Sequence, residues 1–410
     1  MRIRLPLVLL LAASQLLTVS PNGSAAGEEA TRDVVDVALR GGRVVRERNE
    51  WRKLPSGVRL VVNSTPSEAT LGGGREQESA RANSPSLTGR TLVVYATPNG
   101  NSIEQTLGRE SAPGLDWHFD IQHVAAQIRH VRHARLARAA LLERQIVLAV
   151  VESPKLSWPT FVRERADSGQ IIRELVDELA KQHRADEIVL MAHSGGGAFL
   201  FRLIDEHASL PAAYRSFVFL DANYAFNGEK RHGEKLADWL KHDDRRSLIV
   251  IAYDDREIRL NDKPVVGPTG GTFRATERML VDLKPRLELK QIESGDWSTH
   301  TALGGRLQTH VHRNPMNKIL HTALVGEMNG VVFALTSLLA RGGPMPQDAS
   351  ASRTDAKLAG AKSAGSNRDD GVAPPSGPPC YGECIQKLAI AEPPRASIAT
   401  AAPPVRLNLP

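Results

Sequence analysis

From about Leu87 onward, short apolar runs alternate with amphipathic stretches. Residues 91–96, 145–151, 187–192, 216–220, 248–252 and 287–292 read as strands. Between them lie segments with helical spacing. The segment 121–142 carries Ile121, Val124, Ala125, Ile128 and Val131 on one side. Asp167 or Ser168 caps a helix with Ile171, Ile172, Leu175, Val176 and Leu179 on one face. Further helices are predicted from the glycines after Ser194 to about His207, over 229–240, over 273–283 and over 324–339. Strands apolar throughout, set between amphipathic helices, are what a parallel sheet covered on both faces requires. The repeated alternation predicts an α/β fold, a doubly wound and mostly parallel sheet with right-handed crossovers. Upstream, residues 34–39 and 43–46 flank Gly41 and Gly42 as a hairpin would, and 57–62 is another strand. These early strands would add an antiparallel edge.

The chain has 410 residues, 41% hydrophobic and 24% charged, with a net charge of +6 and 2 cysteines. That makeup excludes wholly disordered, fibrous and multi-span membrane chains. Two cysteines also exclude a disulfide-stapled small fold and a Cys-rich metal protein. The charge is too mild to indicate nucleic acid, and no nucleic-acid partner is expected.

Four regions follow. Residues 1–26 read as a secretory signal: Arg2 and Arg4 precede an apolar run from Leu5 to Val19, and Ser24, Ala25 and Ala26 suit cleavage before Gly27. An uncleaved anchor is the alternative, although the run is short for a span of ~20 residues, and no stable membrane anchor is expected. Residues 27–86 hold the early strands and a linker containing Gly72, Gly73 and Gly74. Residues 87–340 form the regular domain. Residues 341–410, dominated by Ala, Ser, Pro and Gly, read as a disordered tail, because they hold too little apolar surface to offset their ordering entropy. Cys380 and Cys384 fall in that tail, either as a small redox loop or as an incidental pair.

The segment richest in chemistry is 187–201. A buried strand runs into Ala192, His193, Ser194, Gly195 and Gly196, and a helix follows. Small residues two before and two after a serine let strand and helix approach through a sharp turn that presents the hydroxyl. The Gly195 N–H and the helix N-terminus favour a developing anion. The alternative is a glycine-rich turn with an inert serine. A second oxyanion donor is expected from the turn Pro98-Asn99-Gly100-Asn101, at Gly100 or Asn101.

A nucleophilic serine needs a base and an orienting carboxylate. Asp254 and Asp255 leave the strand 248–252 together. Asp255 is slightly preferred, because it alternates in phase with Ile249 and Ile251. Asp221, after residues 217–220, is the other candidate. The expected base is His321, just ahead of the final helix, with His300 as runner-up. His310 and His312 have alternate spacing, but no third ligand accompanies them and no metal is expected.

On these motifs, residues 87–339 resemble the α/β-hydrolase superfamily. Ser194, then Asp254 or Asp255, then His321 stand in that family's chain order. Two departures are Ala192, where the family most often has glycine, and the lack of a His-Gly dipeptide in the oxyanion loop.

The resemblance implies a serine hydrolase acting on a small-molecule or polymer-linked ester without a cofactor, and the leader makes it secreted or periplasmic. A peptidase or amidase of the same fold is one alternative, and a non-catalytic binding protein on this scaffold is another. Two further features have double readings. Arg129, His130, Arg132, His133, Arg135 and Arg138 form a basic helix face, either solvated or contacting an anionic polymer. Trp158 and Phe161 either line a substrate pocket or pack.

Overall fold

A computed structural model describes residues 30–38, 44–65, 89–109, 113–133 and 144–339. The segment 1–26, both cysteines and the tail 341–410 lie outside these residues. No helix among the described residues is long and apolar enough to cross a membrane.

Among the described residues, eleven strands form one sheet. In chain order they begin with β1 (Thr31–Ala38), β2 (Val44–Lys53), β3 (Arg59–Ser64), β4 (Gly89–Ala96) and β5 (Arg144–Glu152). β6 (Glu187–His193), β7 (Tyr214–Leu220) and β8 (Ser247–Tyr253) follow. A two-residue ladder, β9 (Arg259–Leu260) with β10 (Lys263–Pro264), stands apart. β11 (Lys290–Ser294), β12 (Trp297–Ala302) and β13 (Leu307–His312) complete the main sheet. The spatial order is β1-β2-β3-β5-β4-β6-β7-β8-β13-β12-β11. The middle, from β5 to β13, is parallel, and both margins are antiparallel.

Side chains alternate across this sheet, as a pleated strand requires. Leu92, Val94, Leu190, Phe217, Phe219 and Val250 point to one apolar layer, shared with helices Trp158–Glu164, Ser168–Gln182, Gly197–Asp205 and His232–His242. Val93, Tyr95, Met191, Val218, Ile249 and Ile251 point to the other, covered by Val124–His133 and Gly330–Leu339. Burying both faces explains why the central strands read as continuous apolar runs.

The last parallel strand differs from the expectation. Residues 287–292 were expected to supply it, but β11 is an antiparallel edge strand with most of its residues exposed. The strand beside β8 is β13, from a stretch that reads as loop in the sequence. Its polar residues hide it. Gln308, Thr309 and His310 are buried, and His310 contacts the Thr299 hydroxyl (3.1 Å) and Gln308 (2.9 Å). Side chains that satisfy one another in this way can occupy a core strand without apolar alternation. The final helix also starts later, at Gly330, after Asn329 takes a φ of 51°.

The basic helix face is internal where it is described. Arg129 and Arg132 are directed at Glu47 on β2, at 2.9 and 3.4 Å, and Arg132 also donates to Asn63. These arginines join the antiparallel margin to the parallel core, so neither the solvated nor the polymer-contacting reading holds for them.

Candidate active site

β6 delivers the chain to Ser194, whose φ of 53° lies in the left-handed region. A non-glycine residue there is uncommon and strained, and persists only where the surroundings fix it. The surroundings are tight. A Cβ on Gly196 would collide with the Ala96 carbonyl at the end of β4, and one on Gly197 with the Ala222 carbonyl after β7. The glycines therefore let the helix Gly197–Asp205 begin against the ends of the two neighbouring strands. Ser194 is partly exposed while Gly195, Gly196 and Gly197 are buried.

Six parallel strands wound on both sides, with a serine on a strained strand-to-helix turn at the carboxyl edge, decide the architecture. The fold is α/β-hydrolase-like. Within it, the sequence-predicted residues separate into those the fold brings together and those it does not.

His321 stands beside the serine turn. The residue before Ser194, His193, donates its Nε2–H to the His321 carbonyl (3.0 Å), and the two rings lie 4.7 Å apart. His321 Nδ1 lies 2.5 Å from Asp221 Oδ2, with the imidazole 27% exposed and the carboxylate fully buried. Asp221 directly follows β7 and is held from three directions: its N–H donates to the Ile251 carbonyl (2.7 Å), the Thr272 hydroxyl donates to Oδ1, and His321 meets Oδ2.

The preferred carboxylates are elsewhere. Asp254 is turned to Arg256, in a two-point ion pair at 2.9 and 2.6 Å. Asp255 is buried and accepts the Thr272 N–H (2.8 Å) at the start of the helix Thr272–Leu283. That helix begins after Gly271, which has no side chain to cap it, so Asp255 serves the free N–H groups instead. Burial and the neighbouring Asp221 push the Asp255 carboxyl above its ordinary pKa. The carboxylate facing His321 is thus Asp221, not Asp254 or Asp255.

The other candidate histidines lie at the β12–β13 margin of the sheet. His300 lies on β12, His310 is buried on β13, and the His312 ring accepts the Asn314 N–H (3.0 Å). Trp158 and Phe161 pack edge to face, and Trp158 also meets Phe199 at 4.8 Å. Both are buried, which settles the choice in favour of packing.

The oxyanion loop is corrected in part. The Gly100 N–H is taken by the Leu156 carbonyl (2.8 Å), and that of Asn101 is directed at the Pro98 carbonyl (3.4 Å). Neither is available as the second donor. Gly195 keeps its expected position, first after the serine.

Sequence reasoning missed His193, Thr272 and Asn99. His193 is 1% exposed, and burial, then repulsion from His321, hold its pKa well below the usual imidazole range. Its Nδ1 lies 3.3 Å from the Gln122 amide oxygen, which also accepts the Tyr95 hydroxyl (3.0 Å). A usable signal existed for Asp255: a helix starting at Gly270-Gly271-Thr272 lacks a local cap and needs a distant one.

No family model matches the chain, and no curated protein matches it in sequence. Among solved structures it is similar to brefeldin A esterase, a bacterial homologue of human hormone-sensitive lipase. That likeness has 12% identity and a TM-score of 0.30, covering 79% of this chain and 81% of the other. It is also similar to an acetyl xylan esterase from Paenibacillus sp. R4, with 10% identity and a TM-score of 0.27, covering 62% and 79%. A prolyl endopeptidase gives 10% identity and a TM-score of 0.27, covering 63% of this chain and 32% of that one. The chain therefore spans about a third of the peptidase's length. At such low scores the chemistry has to be read from this chain's own residues.

Proposed function

We propose that this protein is a serine hydrolase that cleaves a carboxylic ester through an acyl-enzyme. The observation that carries the reading is the pairing of His321 with Asp221 beside a serine on a strained elbow. Ser194 Oγ attacks the acyl carbon while His321 Nε2 takes its proton. The carbonyl electron pair moves onto oxygen, beside the Gly195 N–H. On collapse, the C–O bond to the alcohol breaks and His321 returns the proton to the leaving oxygen. Water then repeats the sequence in place of serine and frees the acid. Asp221 holds Nδ1–H, which leaves Nε2 to act as the base, and stabilises the imidazolium that forms.

Loops at the carboxyl edge of the sheet would bind the ester, whether small or polymer-linked. Residues 1–26 support the reading that the enzyme acts outside the cytoplasm, as a secreted or periplasmic protein.

A fluorophosphonate probe tests the proposal. It should label the parent and not Ser194→Ala, while the variant keeps the parent's melting temperature. An unlabelled parent would mean a binding protein on this scaffold. Matched ester and amide substrates of one acyl group then separate esterase from amidase.

A further inference from the structure

We propose that the side-chain amide of Asn99 is the second oxyanion donor, opposite the Gly195 N–H. The proposal rests on the serine-hydrolase reading and adds a catalytic residue to it. Attack on an ester places a full negative charge on the former carbonyl oxygen, which needs donors fixed in advance. One is supplied by Gly195, which stands at the start of the turn Ser194–Gly196, where main-chain N–H groups have no partner within the helix.

The loop after β4 must provide the other, and its main-chain donors are mostly spent. The Thr97 N–H is bound to the Val151 carbonyl (3.0 Å), Pro98 has none, Gly100 is bound to Leu156 (2.8 Å) and Asn101 is directed at Pro98 (3.4 Å). Asn99 remains. Its side chain lies directly on Gly195: a Cβ added to that glycine would overlap the amide, standing 2.1 Å from Oδ1 and 2.6 Å from Nδ2. Glycine at 195 thus leaves room for the Asn99 amide beside the residue whose N–H the oxyanion would meet. The amide is exposed and can turn end for end, so an oxyanion entering this space draws Nδ2 towards itself. Hydrogen bonds to the Leu156 and Pro98 carbonyls remove the two main-chain donors that the sequence expectation chose in this turn.

The test compares Asn99→Ala and Asn99→Asp with the parent and Ser194→Ala. The readout is the second-order rate of fluorophosphonate labelling, because the phosphonyl oxygen occupies the same site. Turnover of p-nitrophenyl acetate gives kcat and KM where it is measurable. Loss of one such donor lowers the rate about 10²-fold or more, in kcat rather than KM. Asn99→Asp keeps the shape and places a negative charge against the oxyanion, so it should be at least as slow as Asn99→Ala. A purely packing role gives the reverse order. Thermal denaturation should show both variants folded, as expected at an exposed position.

A fall of about tenfold or more in both variants, with Asn99→Asp no faster than Asn99→Ala, supports the proposal, and a smaller fall in either, or the reverse order, overturns it. If the main-chain N–H of Asn99 is the donor instead, Asn99→Ala keeps the parent's rate, which also overturns it. Failure of the parent to label in a Ser194-dependent manner refutes the hydrolase reading itself, and the Asn99 assignment with it.

Discussion

His321 meets the carboxylate of Asp221 at 2.5 Å, across 100 residues of sequence, while Asp254 and Asp255 turn to other partners. One strand further along the sheet, the residues that follow β8 are committed to an arginine and to a helix terminus. In the proposed mechanism the orienting acid therefore comes from the end of β7.

This arrangement predicts unequal losses for the three aspartates. Asp221→Asn should lower kcat by about 10⁴-fold, as when an orienting carboxylate loses its charge. Asp254→Asn, which breaks a partly exposed pair with Arg256, should leave turnover within about threefold. Asp255→Asn should act mainly on stability, by about 1 kcal/mol, through the weakened helix start. Steady-state kinetics and thermal melts on the three variants decide it. A severe kinetic loss in Asp254→Asn with Asp221→Asn unimpaired would reverse the assignment.

Thr272 should behave as a positioning residue. Its hydroxyl donates to Asp221 and its N–H to Asp255, so it fixes both carboxylates. Thr272→Val removes only the hydroxyl. A hydrogen bond to a charged group is worth about 1.5–3 kcal/mol, so kcat should fall roughly 10- to 100-fold with little change in KM. Thr272→Ser should restore most of it. Equal damage from valine and serine would point to packing instead.

His193 makes stability depend on pH. Its folded pKa is lowered, by burial first, whereas the unfolded ring titrates near about 6.5. The unfolded chain therefore binds more protons as pH falls below that value, and stability declines towards acid. Burial lowers His183 and His207 in the same direction. The melting temperature should be highest above about pH 6.5 and drop through pH 5. His193→Gln should flatten the slope. A melting temperature that rises on acidification would contradict this.

Glu47 is 3% exposed and faces two arginines, accepting from Arg129 at 3.0 and 2.9 Å and lying 3.4 Å from Arg132. Burial, first of all, pushes the Arg132 guanidinium down to about 10. Removing the carboxylate leaves buried positive charge uncompensated, which costs about 3–5 kcal/mol. Glu47→Ala should therefore lower the urea midpoint sharply and release the β1–β2 margin first, as read by hydrogen exchange. An unchanged midpoint would show that water reaches the pair.

The amino-acid sequence by itself determined what local pattern can encode. Continuous apolar runs between amphipathic helices specify a sheet buried on both faces. A buried strand running into Ser194 and three glycines specifies a tight turn with an exposed hydroxyl. His321, ahead of the last helix, was legible because chain order places it at the same sheet edge. Tertiary structure decided the rest, because the deciding contacts join residues far apart. Asp255 follows its strand as suitably as Asp221 follows its own, and only the uncapped helix at Thr272 removes it from the site. Gly100 and Asn101 offer N–H groups in sequence, and only the carbonyls of Leu156 and Pro98 occupy them. β13 hides in a polar stretch because His310 meets Thr299 on β12 and Gln308 on its own strand rather than water. Periodicity reports which face a side chain takes. Which of several equivalent groups reaches a given atom depends on what else competes for it, and that competition exists only once the chain has folded.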